Sequence, residues 1–270
     1  MNKYLIALDL DDTLLNYNKE VSKKTKDCLR KLYNNGFIIV IASGRIFDTC
    51  YEEVSKLDFI NYMVTDSGSL IYDNINKNIV YKKALSKIDV KRIISLYDDK
   101  TEYIEFSDEH YYYKYSKNSL NHYGLSRDIG DISEFIKNNK AIHSTIKMYD
   151  CTNNKYIIKK VSKYCPTINI IEMKNNDGDK WLELISKGVS KYNALKYIMK
   201  KEKVDKNNVI AFGDNYNDID MIIKSKYGVA MENATNEIKE VANYITKSCN
   251  EDGIAFFLGE FFKNEGIYRK

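Results

Sequence analysis

The chain has 270 residues, enough for one large domain or two ordinary ones and for a sizeable hydrophobic core. Apolar residues make up 44% and charged residues 30%, which indicates a folded protein rather than a disordered one. The formal charge of +4 comes from 42 basic and 38 acidic residues without a block of one sign, so we expect no nucleic-acid partner. No apolar run approaches the length of a membrane span, and we expect no membrane partner.

Cysteine usage and the first residues bear on the compartment. The cysteines are odd in number, widely spaced and without a C-x-x-C pair, which predicts free thiols in a reducing environment: Cys28, Cys50, Cys151, Cys165 and Cys249. Only "YLIAL" precedes the first carboxylate, and it is too short for the apolar region of a signal peptide. We therefore expect a soluble cytoplasmic protein.

The first third of the chain alternates strand and helix patterns. The run "KYLIALDL" predicts a strand, and "SKKTKDCLRKLYNNG" predicts a helix that begins after the N-cap Ser22 and stops at Gly36. "FIIVIAS" then predicts a strand buried on both faces, followed by a helix in "IFDTCYEEVSKL" and a short strand in "YMVTDSG". This order is typical of a parallel sheet with crossover helices.

The last third repeats the pattern, whereas the middle differs. "SKYNALKYIMKKEKV" and "NDIDMIIKS" predict helices, and "NNVIAFGD" and "YGVAMENA" predict strands. In between, the helical stretches "DVKRIISLYDD" and "NKYIIKKVSKY" alternate with the strand candidates "EYIEFSDEHYYYKY" and "HSTIKMYD". We predict an α/β fold with a doubly wound parallel-sheet core, residues 1–83 and 186–270. A smaller α/β domain, residues 84–185, is inserted with its own antiparallel sheet.

Three acidic residues end the first strand in "DLDDT". Residues two apart on an extended chain point to the same side, so Asp9 and Asp11 can face one point at the strand end, where open α/β sheets bind ligands. An acidic surface turn is the alternative. A calcium-binding loop is disfavoured because Leu14 stands where the sharp turn needs glycine.

Two further segments suit an anion. In "IASGR", Ser43 and Gly44 follow a buried strand and precede a helix, where a hydroxyl and free N–H groups can bind an anion; an ordinary Ser-Gly turn is the alternative. Lys191 lies at a predicted helix start, where the helix dipole disfavours a cation unless a negative ligand is near. The alternative is one more solvated lysine.

The stretch "FGDNYNDIDM" places Asp214 at the end of a buried strand and Asn217 and Asp218 at the start of the next helix. Carboxylate and amide oxygens that converge on one loop suit Mg²⁺. A loop that merely caps the helix is the alternative reading.

These four segments, in this order, resemble the motifs of the haloacid dehalogenase (HAD) superfamily. The likeness is greatest to its Cof-type phosphatases of sugar phosphates and phosphorylated cofactors, which have a Rossmann-like core and an inserted type IIB α/β cap. It extends over "VTDSGSLIYD", "VAMENA" and "NEDGIAFFL" in the core segments, whereas over the cap it rests on position and pattern alone.

The resemblance implies a catalytic centre. Asp9 is implied as the nucleophile that becomes an aspartyl phosphate, and Asp11 as the acid and base that protonates the leaving group and then activates water. Mg²⁺ is implied as the cofactor, held by Asp9, the backbone carbonyl of Asp11 and Asp214, with Asp218 as a further ligand.

The resemblance also implies a phosphate site and a substrate class. Ser43, Gly44, Lys191 and Asn217 correspond to the groups that bind the phosphoryl oxygens. The implied partner is a small phosphorylated metabolite, with neither its identity nor the oligomeric state determined by the sequence. A phosphomutase of the same superfamily is the main alternative, and a non-catalytic phosphate acceptor or a metal-binding protein comes after it. A P-type pump also forms an aspartyl phosphate, but it requires membrane helices, and no apolar run in this sequence is long enough for one.

The sequence departs from the family pattern at four positions. Asp12 and Glu232 stand where glycine is frequent, Ser67 where asparagine is usual, and Tyr192 where glycine is common. We expect Asp12 to cap or orient its loop, and the other three to reshape the substrate entrance.

Tyrosines are concentrated in the cap segment "DEHYYYKY". One hypothesis is that Tyr111, Tyr112 and Tyr113 face the site and contact the substrate. The favoured alternative is that the tyrosines of this segment pack between the cap sheet and its helices.

Overall fold

The computed structural model describes residues 3–117, 125–138, 140–174 and 178–264. The strands in chain order are β1 (Leu5–Leu8), β2 (Ile38–Ala42), β3 (Tyr62–Thr65), β4 (Leu70–Asp73), β5 (Asn78–Lys82), β6 (Thr101–Ser107), β7 (Tyr112–Tyr115), β8 (Ser126–Asp128), β9 (His143–Met148), β10 (Ile168–Lys174), β11 (Lys180–Ser186), β12 (Val209–Gly213), β13 (Tyr227–Ala230) and β14 (Tyr244–Ile245). The α-helices are α1 (Lys23–Asn34), α2 (Phe47–Val54), α3 (Lys87–Ser95), α4 (Ile132–Lys137), α5 (Asn154–Tyr164), α6 (Lys191–Glu202), α7 (Ile219–Lys224), α8 (Asn236–Val241) and α9 (Gly253–Asn264).

The first sheet has eight strands in the order β14-β13-β12-β1-β2-β3-β4-β5. The pairs from β14 to β3 are parallel, and β4 and β5 add an antiparallel edge. Strand β1 is apolar throughout because both faces are covered: Ile6 and Leu8 pack into a cluster with α1 and α9, and Leu5 and Ala7 into one with α6. The predicted doubly wound fold class is confirmed.

Helix α1 begins and ends as the sequence predicts. The Thr25 amide donates a hydrogen bond to the Ser22 hydroxyl at 3.1 Å, which satisfies a free N–H of the first turn. Gly36 lies just beyond the helix with φ +84°, a conformation that glycine adopts at little cost. All five cysteines are free thiols, and three of them are buried.

The second sheet has six strands in the order β10-β11-β9-β6-β7-β8. Its pairs are antiparallel except for the parallel pair β7–β8. One face is apolar and packs on α3 and α5, for example through Ile104 and Leu184. The other face carries polar side chains such as Thr145 and Glu183. Ser67, which lies between β3 and β4 of the first sheet, donates a hydrogen bond to Glu183 at 2.8 Å. The polar face therefore meets the carboxyl edge of the first sheet.

Within the described residues, no helix combines the length and the apolar character that a membrane crossing requires.

Candidate active site

A cavity of about 320 Å³ lies between the two sheets. Its lining includes most of the residues that the sequence singled out: Asp9, Asp11, Ser43, Gly44, Asp214 and Asn217. These come from the ends of β1, β2 and β12, which are adjacent in the sheet, so their carboxyl ends meet at one edge. Lys191 lies directly beneath and pairs with both Asp9 and Asp218.

Lys191 is completely buried at the start of α6. Its Nζ donates hydrogen bonds to Asp9 Oδ1 and Asp218 Oδ1, each at 2.6 Å, and lies 3.4 Å from Asn217 Oδ1. Burial by itself lowers the pKa of a lysine, but the two carboxylates outweigh it and raise the pKa of Lys191 above its ordinary value. The cation that seemed unfavourable at a helix start is thus held by buried anions.

Three carboxylates form a compact buried group. Ligand atoms of Asp9, Asp214 and Asp218 all lie within 4.8 Å of one another. Burial and then the charge of Asp218 raise the pKa of Asp9 to about 7, although Lys191 opposes the shift. Burial and the neighbouring carboxylates also raise the pKa of Asp214 well above its ordinary value. One lysine does not neutralise this group.

Backbone contacts and one hydroxyl hold these carboxylates in place. Asp218 Oδ2 accepts from the amides of Asp214 and Asn215 at 3.1 and 3.2 Å. Thr13 Oγ1 donates to Asp214 Oδ1 at 2.7 Å. Thr13 belongs to the first acidic motif, but sequence reasoning assigned it no role because its partner lies 201 residues away.

Gly213 leaves room for one of these carboxylates. A Cβ atom at position 213 would lie 2.6 Å from Asp218 Cβ and 2.7 Å from its Oδ2. We expect Gly213→Ala to displace Asp218 and to lower the free energy of unfolding by about 1–3 kcal/mol. Urea unfolding measures this. Gly259→Ala on α9, where nothing lies within 4 Å of the added atom, is the control and should not lower it.

The loop after β2 carries Ser43 and Gly44, the two residues predicted to bind an anion. Ser43 is buried, and its Oγ accepts from the Arg45 amide at 3.1 Å. Helix α2 begins at Phe47 after the N-cap Ile46, so Ser43 and Gly44 lie in the loop before the helix, as the sequence predicted. A side chain at Gly44 would crowd Asn217 Nδ2, 3.1 Å from the added Cβ, which explains why glycine suits this position.

Arg45 is a site residue that the sequence reasoning missed, although it stands in "IASGR". Its Nε and one terminal nitrogen donate to both oxygens of Asp11, at 2.8 and 2.7 Å. Burial raises the pKa of Asp11, but Arg45 and then Lys19 outweigh this effect and keep it below its ordinary value. Asp11 is therefore a carboxylate at neutral pH, and its side chain lies outside the buried acidic group.

The backbone conformation at position 12 explains why aspartate suits this place in the motif. Its φ is +56°, a left-handed conformation that aspartate tolerates better than most residues and glycine best of all. Its carbonyl accepts from Asn233 Nδ2 at 2.7 Å, which ties the loop to the β13 side of the site. The expected role in orienting the loop agrees with this geometry.

We expect Asp12→Gly to be more stable than Asp12→Ala by about 1 kcal/mol in urea unfolding. Both variants remove the carboxylate and its 3.6 Å contact with Lys19, so they differ in the cost of positive φ, which alanine bears, and in chain entropy, of which glycine loses more on folding. Equal stabilities would show that the turn is not strained by a side chain at this position.

The other departures from the family pattern lie apart from each other. Ser67, with φ +52°, donates to Glu183 and so contacts the cap. Tyr192 packs beside Lys224, and Glu232 is exposed; neither lines the cavity.

The cap tyrosines also have different surroundings. Tyr112 lines the cavity, whereas Tyr113 and Tyr115 pack against the cap core, where Tyr113 lies 5.4 Å from Phe135 between ring centroids. Tyr111 stacks on Arg127, whose Cζ atom lies 3.3 Å from the centre of the tyrosine ring. The sequence did not indicate the other cap residues at the cavity, His143, Thr145, Met173, Trp181 and Glu183.

Comparisons with known proteins agree with these observations. Residues 6–258 match the family described as haloacid dehalogenase-like hydrolase. A relative from Bacillus subtilis (strain 168), 5-amino-6-(5-phospho-D-ribitylamino)uracil phosphatase YcsE, is 28% identical over 254 residues, 93% of this chain and 92% of the relative. A haloacid dehalogenase-like hydrolase from Bacteroides thetaiotaomicron superposes with a TM-score of 0.77 at 27% identity, covering 97% of this chain and 100% of that one.

The fold also matches a solved HAD subclass IIB sugar phosphatase, with a TM-score of 0.77 at 21% identity over 98% of this chain and 100% of that one. The resemblance drawn from the four motifs, Cof type with a type IIB cap, is confirmed. The family model covers nearly the whole chain, and the chain therefore belongs to the haloacid dehalogenase-like hydrolases.

Proposed function

We propose that this phosphoric monoester hydrolase releases phosphate from small phosphorylated metabolites through an aspartyl phosphate on Asp9, with Mg²⁺ as cofactor. The observation that carries the proposal is the buried group in which Asp9 contacts Lys191 at 2.6 Å and lies within 4.8 Å of two further carboxylates. A nucleophilic carboxylate, a fixed cation and a set of oxygen ligands meet there at the floor of one cavity.

The residues suit a magnesium ion. Asp9, Asp214 and Asp218 carry three negative charges against the one positive charge of Lys191, a net charge of −2 when all are ionised. Hard oxygen ligands of this kind suit Mg²⁺. We propose Asp9, Asp214 and the backbone carbonyl of Asp11 as its ligands, with Asp218 as a further one. When bound, the ion would offset the repulsion between the phosphate and the carboxylates.

In the proposed first step, a carboxylate oxygen of Asp9 attacks phosphorus, a P–O bond to Asp9 forms, and the P–O bond to the leaving group breaks. Asp11 supplies the proton to the leaving alkoxide. In the second step, Asp11 accepts a proton from water, which attacks phosphorus and releases Asp9 and inorganic phosphate.

Ser43, Gly44, Lys191 and Asn217 are proposed to hold the phosphoryl oxygens through both steps. Ser43 and Gly44 border the cavity together with Asn217, and Lys191 donates to Asp9 from beneath.

Arg45 adds a condition to this sequence of steps. Because Arg45 keeps Asp11 ionised, Asp11 is ready to act as the base in the second step. Its role as acid in the first step requires that Asp11 release Arg45 and take up a proton from water, which it then donates to the leaving oxygen.

We propose residues 1–83 and 186–270 as the catalytic domain and residues 84–185 as the cap that binds the leaving group. The first five strands end at Lys82 and the second sheet runs from Thr101 to Ser186, which supports this division.

The test is phosphate release from a panel of metabolites with the purified full chain. The panel includes sugar phosphates, nucleotides, pyridoxal phosphate, flavin mononucleotide and the phosphoribitylamino-uracil named for the B. subtilis relative. We expect release with Mg²⁺, loss of release in EDTA, and recovery when Mg²⁺ is restored. Release that persists in EDTA would contradict the proposed mechanism, and an isomerised phosphate ester without free phosphate would identify a phosphomutase instead.

A further inference from the structure

The cap sheet presents one face with both polar and apolar side chains to the cavity. On β11, Trp181 and Glu183 are two residues apart, and on β9, His143 and Thr145 are two residues apart. Glu183 is paired directly with Thr145 across the two antiparallel strands. Side chains two apart share a face of a sheet, so these four lie together, and all four line the cavity that contains Asp9.

Two of these side chains are buried and polar, and they take no part in the proposed chemistry. His143 and Glu183 side chains are each 9% exposed, and His143 Nε2 lies 3.6 Å from Glu183 Oε2. Among the described residues, Nε2 of His143 has no hydrogen-bond partner. A buried polar atom without a partner is costly, and its most direct explanation is a ligand that supplies the missing bond.

Glu183 is close to the loop after β2, whose residues Ser43 and Gly44 are proposed to bind the phosphoryl oxygens. Its Oε2 accepts from Ser67 at 2.8 Å, and its Oε1 would lie 3.7 Å from a Cβ atom placed at Gly44. Burial raises the pKa of Glu183, but the contacts with His143 and Ser67 outweigh this effect and lower it. The carboxylate is therefore an ionised acceptor beside the phosphate site, with an imidazole donor next to it.

We propose that Glu183 and His143 determine specificity by binding neighbouring hydroxyl groups of a sugar or polyol leaving group, an inference that rests on the proposed phosphatase function. A hydroxyl donates to Glu183 while its neighbour accepts from His143, and Trp181 provides an apolar wall for the carbon chain. A leaving group without hydroxyls leaves His143 Nε2 without a hydrogen-bond partner and Glu183 with Ser67 alone, and a site of this kind rejects such a substrate strongly. A cavity of about 320 Å³ suits a small sugar or polyol phosphate.

The experiment compares kcat/KM for ribitol 5-phosphate, ribose 5-phosphate and p-nitrophenyl phosphate, the last of which has no hydroxyl groups on its leaving group. We expect the full chain with Mg²⁺ to prefer the better of the two hydroxylated substrates by about 10²-fold or more. Glu183→Gln and His143→Gln should each reduce this preference by at least about tenfold, mainly through KM, because each removes one partner of the hydroxyl pair.

Glu172→Gln is the control on the cap sheet. Glu172 lies on β10, paired with Lys180 at 3.7 Å, and does not line this cavity, so its variant should keep the preference. The two test variants lie on different strands, so a folding defect in one leaves the other informative, and circular dichroism identifies such a defect.

The outcomes separate the two proposals. Hydrolysis of p-nitrophenyl phosphate together with an unchanged preference in both variants would overturn the specificity assignment and leave the phosphatase function standing. Equal rates on all three compounds in the unmodified chain would also overturn it. Absence of Mg²⁺-dependent hydrolysis of every compound would overturn the proposed function and this inference with it.

Discussion

Asp9→Asn should lower the rate of phosphate release by at least about 10⁴-fold, because an amide cannot replace the attacking carboxylate. Acid-quenched protein should carry one phosphoryl group in the unmodified chain and none in the variant, as measured by mass spectrometry. Asn is nearly isosteric with Asp, so the loss will reflect chemistry rather than packing. A variant that keeps the rate would exclude Asp9 as the nucleophile.

The same substitution should stabilise the metal-free protein at pH 8. The pKa of Asp9 is raised from 3.8 to about 7, so the folded state favours the protonated form, and this contribution to stability is lost as pH rises through about 7. The ionised carboxylate then costs up to about 4 kcal/mol, which Asn does not incur. Urea unfolding in EDTA at pH 5 and pH 8 should show a larger gain for the variant at pH 8.

Asp11→Asn is the control, for which we expect a change in stability opposite to that of Asp9→Asn. The pKa of Asp11 is lowered, chiefly because Arg45 overcomes the effect of burial, so its contribution is present above its unfolded pKa and lost as pH falls. Its replacement should therefore reduce stability at pH 8. Parallel behaviour of the two variants would contradict the different environments assigned to these carboxylates.

Lys191→Met should lower the free energy of unfolding by about 3–5 kcal/mol and abolish activity. The side chain is completely buried, and its removal leaves Asp9 and Asp218 without the cation that both contact at 2.6 Å. Breaking a buried ion pair on one side leaves an uncompensated charge in a poorly solvated site. Urea unfolding in EDTA measures the loss, and Mg²⁺ should recover part of the stability because it restores positive charge to the same carboxylates.

Lys201→Met provides the comparison on the same helix. Lys201 contacts Asp73 at 2.7 Å, and its own side chain is 36% exposed. Asp73 is buried, but it keeps hydrogen bonds from the amides of Ile75 and Asn76 after Lys201 is removed. We therefore expect a smaller loss than for Lys191, about 1–2 kcal/mol, and full activity. Equal destabilisation by the two substitutions would mean that burial of Lys191 is not what makes its ion pairs important.

Local sequence patterns predicted the elements that carry the site. Strand β1 ends before Asp9, α1 starts after Ser22, and α6 starts at Lys191, as the apolar runs and caps indicated. Such features depend on neighbours within one or two turns of chain, and for that reason they can be found in a single sequence. The start of α2 at Phe47 also lies within one residue of the predicted helix start.

These local patterns could not predict the contacts between distant segments. The pair Asp11–Arg45 joins positions 34 residues apart, Thr13–Asp214 joins positions 201 apart, and Ser67–Glu183 joins positions 116 apart. Each depends on side-chain directions set by strand register and loop conformation. The cap residues at the cavity were missed because nothing in "HSTIKMYD" or around Trp181 indicates which face of the strand meets the core.

By itself, the sequence determined that Asp9, Ser43 and Asp214 would meet at one edge, because each follows a buried strand of a parallel sheet. Only the tertiary structure decided how their charges are balanced. It buries Lys191 between two carboxylates, pairs Asp11 with Arg45, and places Asp12 in a left-handed turn. Charge balance depends on distances of a few ångströms and on the exclusion of water, and these are fixed only when the two sheets pack together.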